Sequence, residues 1–283
     1  MTRAAIVLSG GGVKAAAHIG AMRALAEAGI EPATYVGTSG GSLVAALLAT
    51  GMPHDALIEQ VTRLGGHDVV RANLWTLLLG WRVDALLRPA PLRRAVERMV
   101  PARRFAEVKQ PLRVTAVDAE TGALVVFGTG AVEAPLVDAL CASCALPMYY
   151  PPVTIAGHRY VDGGLRAVLP IWAADTTGCD VVVAVDIGPG FDDERAAAPS
   201  RLPRMVRVAD TALGILMAQQ TQSEVARWRV TPGQPPLLYI RPRTRSGDTF
   251  LVDRIPAYLG AGYDAAVEAL AAWRSAGAPA GGS

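Results

Sequence analysis

The sequence predicts one α/β domain built on a mainly parallel sheet. Short β-type runs alternate with longer helical ones along almost the whole length. Residues 181–187 form an apolar run broken only by Asp186, as in a strand buried on both faces. No repeat or clear linker interrupts the alternation, so residues 1–276 are expected to form a single domain and residues 277–283 a frayed tail. At 283 residues the chain is long for one domain, but α/β folds of that size are common.

Each element has a local reason. Residues 4–8 read as a strand ending in glycines, and a helix follows near 14–28, stopped by Gly29. A second strand near 35–37 runs into an apolar helix over 42–49, closed by Gly51. A mostly helical stretch covers 54–99 between Pro53 and Pro101. Apolar alternation at 112–116 and 123–127 brackets residues 118–122, a hairpin pattern. A helix near 135–145 stops before Pro147, and strands at 153–155 and 159–161 surround Ala156-Gly157-His158. A long helix near 202–228, a strand at 237–240 and a last helix near 257–273 complete the series.

Composition narrows the function classes. Apolar residues make up 51% of the chain and charged residues 18%, with a mean hydropathy of +0.29, so a large core is easily filled. A net charge of +2 gives no basic surface for nucleic acid. No stretch reaches the roughly 18 uninterrupted apolar residues a spanning helix needs. The first strand is too short and too quickly broken to serve as a secretory segment. Three cysteines do not make a disulfide framework, and the odd number argues for a reducing compartment. A cytoplasmic protein is expected, touching a membrane at most peripherally from that side.

Gly37-Thr38-Ser39-Gly40-Gly41 lies between the second strand and its helix, which is the setting of a serine nucleophile elbow. Gly37 and Gly41 let two backbones pass close to a strained serine, and the helix N-terminus favours a developing oxyanion. Ser9-Gly10-Gly11-Gly12-Val13-Lys14 forms a second motif, whose consecutive glycines can aim backbone N–H groups at one anion. An oxyanion hole and a dinucleotide loop are the competing readings, since Gly10-x-Gly12-x-x-Ala15 fits G-x-G-x-x-A. The dinucleotide reading also needs an acid at the end of the next strand, and Ser39 stands there instead. No G-K-[ST] follows, which excludes a P-loop.

Asp162-Gly163-Gly164 ends the strand at 159–161. A serine hydroxyl needs a base, and a buried aspartate with a raised pKa can act as one. The alternative is histidine, from His18, His54, His67 or His158. His158 after Asp118 or Asp138 would satisfy the serine, acid, histidine order. His158 nevertheless falls in a hairpin turn only four residues before Asp162, so a Ser39–Asp162 dyad is preferred to a triad.

These motifs together resemble the patatin-like phospholipases. The resemblance rests on Gly10-Gly11-Gly12-Val13-Lys14, Gly37-Thr38-Ser39-Gly40-Gly41 and Asp162-Gly163-Gly164. Ala142-Ser143-Cys144-Ala145-Leu146-Pro147 with Pro151-Pro152, and Gly260-Ala261-Gly262-Tyr263 near the end, extend it over nearly the whole chain. It implies a three-layer αβα fold and a serine acyl-ester hydrolase acting on lipids. Ser39 would be the nucleophile, Asp162 the base, and the amides of Gly10, Gly11, Gly12 and Val13 the oxyanion hole. Lys14, Gly37, Gly41, Gly163 and Gly164 would support the motifs, and no metal or cofactor would be required. Two departures are Ala15, where the family usually has glycine, and Val168 before Leu169-Pro170, where asparagine commonly precedes a proline.

The implied substrate is a lipid or acyl ester. A general carboxylesterase or thioesterase and a non-catalytic membrane-associated regulator are the alternatives. Cys141 and Cys144 could join Cys179 on a zinc ion, but no histidine has suitable spacing, and small buried residues are the preferred reading. Lys14 either meets anionic substrates or caps carbonyls. Residues 74–82 (Leu-Trp-Thr-Leu-Leu-Leu-Gly-Trp-Arg) suit a covering helix, a lid or a membrane contact. Oligomeric state is not encoded in any of these patterns.

Overall fold

The computed structural model describes residues 1–63, 85–191, 204–244 and 252–277. Residues 64–84 therefore lie outside the description, and with them His67 and the apolar stretch 74–82; so do residues 278–283 of the expected tail. The described strands form one eight-stranded sheet: β1 (Thr2–Leu8), β2 (Ile30–Thr38), β3 (Leu112–Asp118), β4 (Leu124–Gly128), β5 (Val153–Ile155), β6 (His158–Asp162), β7 (Val181–Val185) and β8 (Leu237–Ile240). Its order is β5-β6-β3-β2-β1-β7-β8, with β4 against β3. The run β3-β2-β1-β7-β8 is parallel throughout, and the antiparallel pairs gather around β3 and β6.

Seven helices accompany the sheet among the described residues: α1 (Ala16–Glu27), α2 (Gly40–Ala49), α3 (His54–Thr62), α4 (Pro89–Met99), α5 (Leu136–Ser143), α6 (Arg204–Val230) and α7 (Ile255–Ser275). Strand alternation sorts side chains into two cores. Ala4, Ile6 and Leu8 of β1 face the larger one, filled by α1 to α5 and α7. Ala5 and Val7 face the smaller one, closed by Leu169, Ile171, Val225 and Trp228. The sheet is thus flanked by helices on both faces, as the predicted three-layer class requires. The layers are unequal, since the last turns of α6 and a short 3-10 turn, Ile171–Ala173, cover the second face.

The largest departure from expectation is β2, which begins at Ile30 rather than near Tyr35. The added length contains Pro32, which has no N–H to give a ladder. The register slips at that point: Ala4 pairs with Pro32 but Ala5 pairs with Thr34, leaving Ala33 as a bulge. The helix expected from residue 14 begins instead with a tight 3-10 turn, Gly12–Ala15, before α1.

Helices α1 and α7 cross backbone to backbone, with no room for a side chain at two glycines. An added Cβ on Gly20 would lie 1.9 Å from the Leu259 carbonyl oxygen, and one on Gly262 only 1.8 Å from that of Ala17. The Tyr263 hydroxyl donates to Glu27 at 2.7 Å across the same contact. This gives the Gly260-Ala261-Gly262-Tyr263 segment its physical meaning. Gly262→Ala should lower the thermal midpoint by several degrees, from an overpacking cost of roughly 1–3 kcal/mol. Gly260, with open space around it, should tolerate alanine with no loss; equal midpoints for the two variants in calorimetry would contradict this account of the crossing.

Candidate active site

The site is assembled by β3. A strand has two edges, and β4 fills one of them, with Val126 and Val125 opposite Thr115 and Ala116. Along the other edge two strands arrive from opposite directions. β2 runs parallel and its last pair is Thr38 with Thr115. β6 runs antiparallel and its last pair is Asp162 with Ala116. Their C-terminal ends meet head-on, so Ser39 and Asp162 converge although far apart in sequence.

Ser39 sits in the turn between β2 and α2 with φ 52° and ψ −129°, a strained backbone for a residue that is not glycine. Neighbouring groups hold it there. Its N–H donates to Ser143 Oγ at 2.8 Å. Its carbonyl accepts from Ser42 Oγ at 2.6 Å and from the Ser42 N–H at 2.9 Å. Thr38 donates its hydroxyl proton to the Ala167 carbonyl at 2.8 Å, so the 2.6 Å bond with Thr115 Oγ1 must be donated by Thr115. Gly37 and Gly41 are required by space. A Cβ on Gly37 would lie 2.6 Å from the Gly41 oxygen, and one on Gly41 would lie 2.3 Å from the Ser9 oxygen.

Asp162 is 3% exposed. Its Oδ1 accepts the Gly164 N–H at 2.7 Å, and its own N–H donates to the Ala145 carbonyl at 3.0 Å. Burial raises its pKa from 3.8 to about 7, against the opposing pull of the Gly164 N–H and of the Ser39 side chain. Burial holds the Cys144 thiol well above the ordinary thiol range. Cys141, Cys144 and Cys179 are free, and no cluster of three metal-ligating side chains occurs among the described residues.

The glycine loop lies against the elbow. A Cβ on Gly10 would be 3.3 Å from Ser39 Cβ, and one on Gly40 would be 2.4 Å from the Gly12 oxygen. The Gly10 N–H, however, donates to the Val168 carbonyl at 2.9 Å. It is therefore committed, which removes Gly10 from the expected set of oxyanion donors. Gly11 and Gly12 have no backbone acceptor for their N–H groups among the described residues. Val13 is half-buried and Lys14 fully buried in the 3-10 turn that follows. Gly163 and Gly164 open the short turn after Asp162, where Gly164 supplies the donor just described.

The histidines lie elsewhere. His158 starts β6, with its Nδ1 3.7 Å from Asp118 Oδ2 and its side chain 64% exposed. Four residues of strand, about 13 Å, separate it from Asp162. Asp138 pairs instead with Arg93 at 2.7 Å. His18 is buried beneath the glycine loop with Nε2 2.9 Å from the Ser9 carbonyl, and burial lowers its pKa to about 4, so it is neutral. His54 opens α3. Sequence reasoning named Ser143 without a role; its place in the Ala142–Pro147 segment was the available signal.

A sequence profile of the family described as patatin-like phospholipase matches residues 6–175, more than half of the chain. The chain belongs to this family. The match runs from β1 past the Asp162 turn and so contains all three motifs. A patatin-like phospholipase domain-containing protein of Caenorhabditis elegans is 31% identical over 187 residues, 65% of this chain and 13% of the relative. An uncharacterized NTE family protein of Mycobacterium tuberculosis is 28% identical over 224 residues, 77% of this chain and 59% of the relative. The chain thus spans less than two thirds of either protein. Among solved structures, VipD from Legionella pneumophila shares the fold at a TM-score of 0.50 and 15% identity, covering 96% of this chain and 67% of that one. No helix among the described residues is long and apolar enough to cross a membrane.

The buried Asp162 carboxyl carries a stability signature. Because its folded pKa lies near 7, the folded chain keeps its proton between pH 3.8 and 7 while the unfolded chain has lost it. Stability therefore falls as pH rises through that window, by up to about 4 kcal/mol for this group. Asp162→Asn should unfold at a higher temperature than the unmodified protein at pH 8, with the difference shrinking toward pH 4. His18 has a lowered pKa and the opposite pH dependence, but it is common to both proteins and cancels. A difference independent of pH would overturn the reading of Asp162.

Proposed function

We propose that this patatin-like phospholipase is a lipid acyl hydrolase in which Ser39 and Asp162 form the catalytic pair. The observation that carries this is a buried carboxyl with its pKa raised to about 7 at the strand end that meets a serine on a strained turn. A base whose pKa lies near the working pH both holds its charge and accepts a proton effectively.

Ser39 Oγ attacks the ester carbonyl carbon as its proton passes to Asp162. The carbonyl oxygen becomes an oxyanion, received by the N–H groups of Gly11 and Gly12 and favoured by the positive end of α2. Collapse breaks the C–O bond, and the leaving alcohol takes the proton from Asp162. Water then attacks the acyl-enzyme, giving its proton to Asp162, and Ser39 departs with that proton as the fatty acid leaves. The hydroxyl and carboxyl groups complete the cycle unchanged.

Ser39→Ala and Asp162→Asn should each lower hydrolysis of a phospholipid or a short p-nitrophenyl ester by a thousandfold or more. A fluorophosphonate probe should label the unmodified protein at Ser39 and leave Ser39→Ala unlabelled. His158→Ala should keep most of the activity. Loss of activity in His158→Ala with retention in Asp162→Asn would replace the pair by a triad. Since Asp162 must be ionised to accept a proton, kcat/KM should rise with pH through an inflection near 7. Faster turnover of soluble esters than of any lipid in a substrate panel would make the protein a general esterase.

A further inference from the structure

The structure points to Arg241, Asp186 and Tyr239 as positioning residues that clamp the oxyanion loop from the neighbouring ends of β7 and β8. We infer that they fix where the Gly11 and Gly12 amides point; this rests on the proposed role of those amides. Glycines carry no side chains with which to lock themselves, and their backbone is the most permissive of any residue. An oxyanion hole works only if its donors are in place before charge develops. The rigidity of this loop must therefore come from what surrounds it.

Its surroundings form one connected set of bonds. Ser9, just before the loop, gives its N–H to the Val185 carbonyl at 3.1 Å, and its carbonyl is held by His18. Its hydroxyl accepts the Ile187 N–H at 2.8 Å. Ile187 in turn fills the side of Gly11, where an added Cβ would lie 2.7 Å from Ile187 Cδ1. The turn of residues 186–188 is thus the wall against which the loop rests.

That wall is pinned from β8. Asp186, only 2% exposed, accepts the Gly188 N–H through Oδ1 at 2.9 Å and the Tyr239 hydroxyl through Oδ2 at 2.7 Å. Arg241 Nη1 reaches three oxygens of the same turn: Asp186 Oδ2 at 2.9 Å, the Asp186 carbonyl at 3.3 Å and the Gly188 carbonyl at 3.0 Å. Residues 239 and 241 are two apart along one chain direction, the spacing that puts side chains on one face of a strand. One guanidinium therefore closes the turn on both sides of Ile187, and the tyrosine fixes the carboxylate that it grips.

The test separates position from mere stability. Arg241→Met, Arg241→Lys and Tyr239→Phe are assayed on a soluble p-nitrophenyl ester, with active sites counted by fluorophosphonate titration. Displaced amides weaken the transition state more than substrate binding, so kcat per titrated site should fall ten- to a hundredfold in Arg241→Met with KM within about twofold. Arg241→Lys, which keeps the charge and a donor, should recover most of that loss, and Tyr239→Phe should lose several-fold. If Arg241→Met does not fold, Tyr239→Phe decides by the same measurement. A fall in titratable sites with unchanged kcat per site would make the network purely structural and overturn the inference. An unmodified protein that neither turns over ester nor reacts at Ser39 would instead remove the proposed function, and this inference with it.

Discussion

The arrangement depends on a single strand being shared. β3 pairs along one edge with the end of β2 and then, at the very next residue, with the end of β6. No helix and no loop could bring those two chain segments together with the same economy of freedom, because ladder hydrogen bonds fix both the direction and the register of each arriving strand. Side-chain chemistry then only has to fill the gap between the two strand ends. Burial does the rest: with water excluded, a carboxyl in that gap keeps a proton that it would lose in solvent.

Much of this was legible in the sequence, and the reasons differ from element to element. The alternation of strands and helices survived almost intact because apolar periodicity reflects packing, which local sequence controls; β8 lies where it was expected. The three motifs were visible because glycines at sites of close backbone approach cannot be replaced. Gly37 and Gly41 show this directly, each facing another backbone with no room for a methyl group. The first half of β2 lay outside the expected strand, since only its pairing with β1 reveals the bulge at Ala33 that lets Pro32 sit in the ladder.

Other features were illegible in principle. Which amides of the glycine loop remain available depends on Val168, a residue far away in sequence whose carbonyl takes the Gly10 N–H. The departure at Val168 thus concerns main-chain geometry as much as any side chain. The role of Ser143 in holding the Ser39 amide needs the three-dimensional contact between α5 and the elbow. His158 and Asp118 lie close enough to look like members of a triad, but at the opposite end of β6 from Asp162. Spacing along a chain says nothing about which end of a strand faces the chemistry.

The close crossing of α1 and α7 bears on how the protein is made. All three motifs have left the ribosome once Leu165 has emerged, yet α1, which carries His18 beneath the loop, is covered only when residues 255–275 arrive. During synthesis the centre is therefore encoded long before its support is complete. Contacts of such large separation along the polypeptide form late and slowly. A nascent chain accordingly passes through a period in which Ser39 has emerged while the α1–α7 packing behind the glycine loop has yet to form.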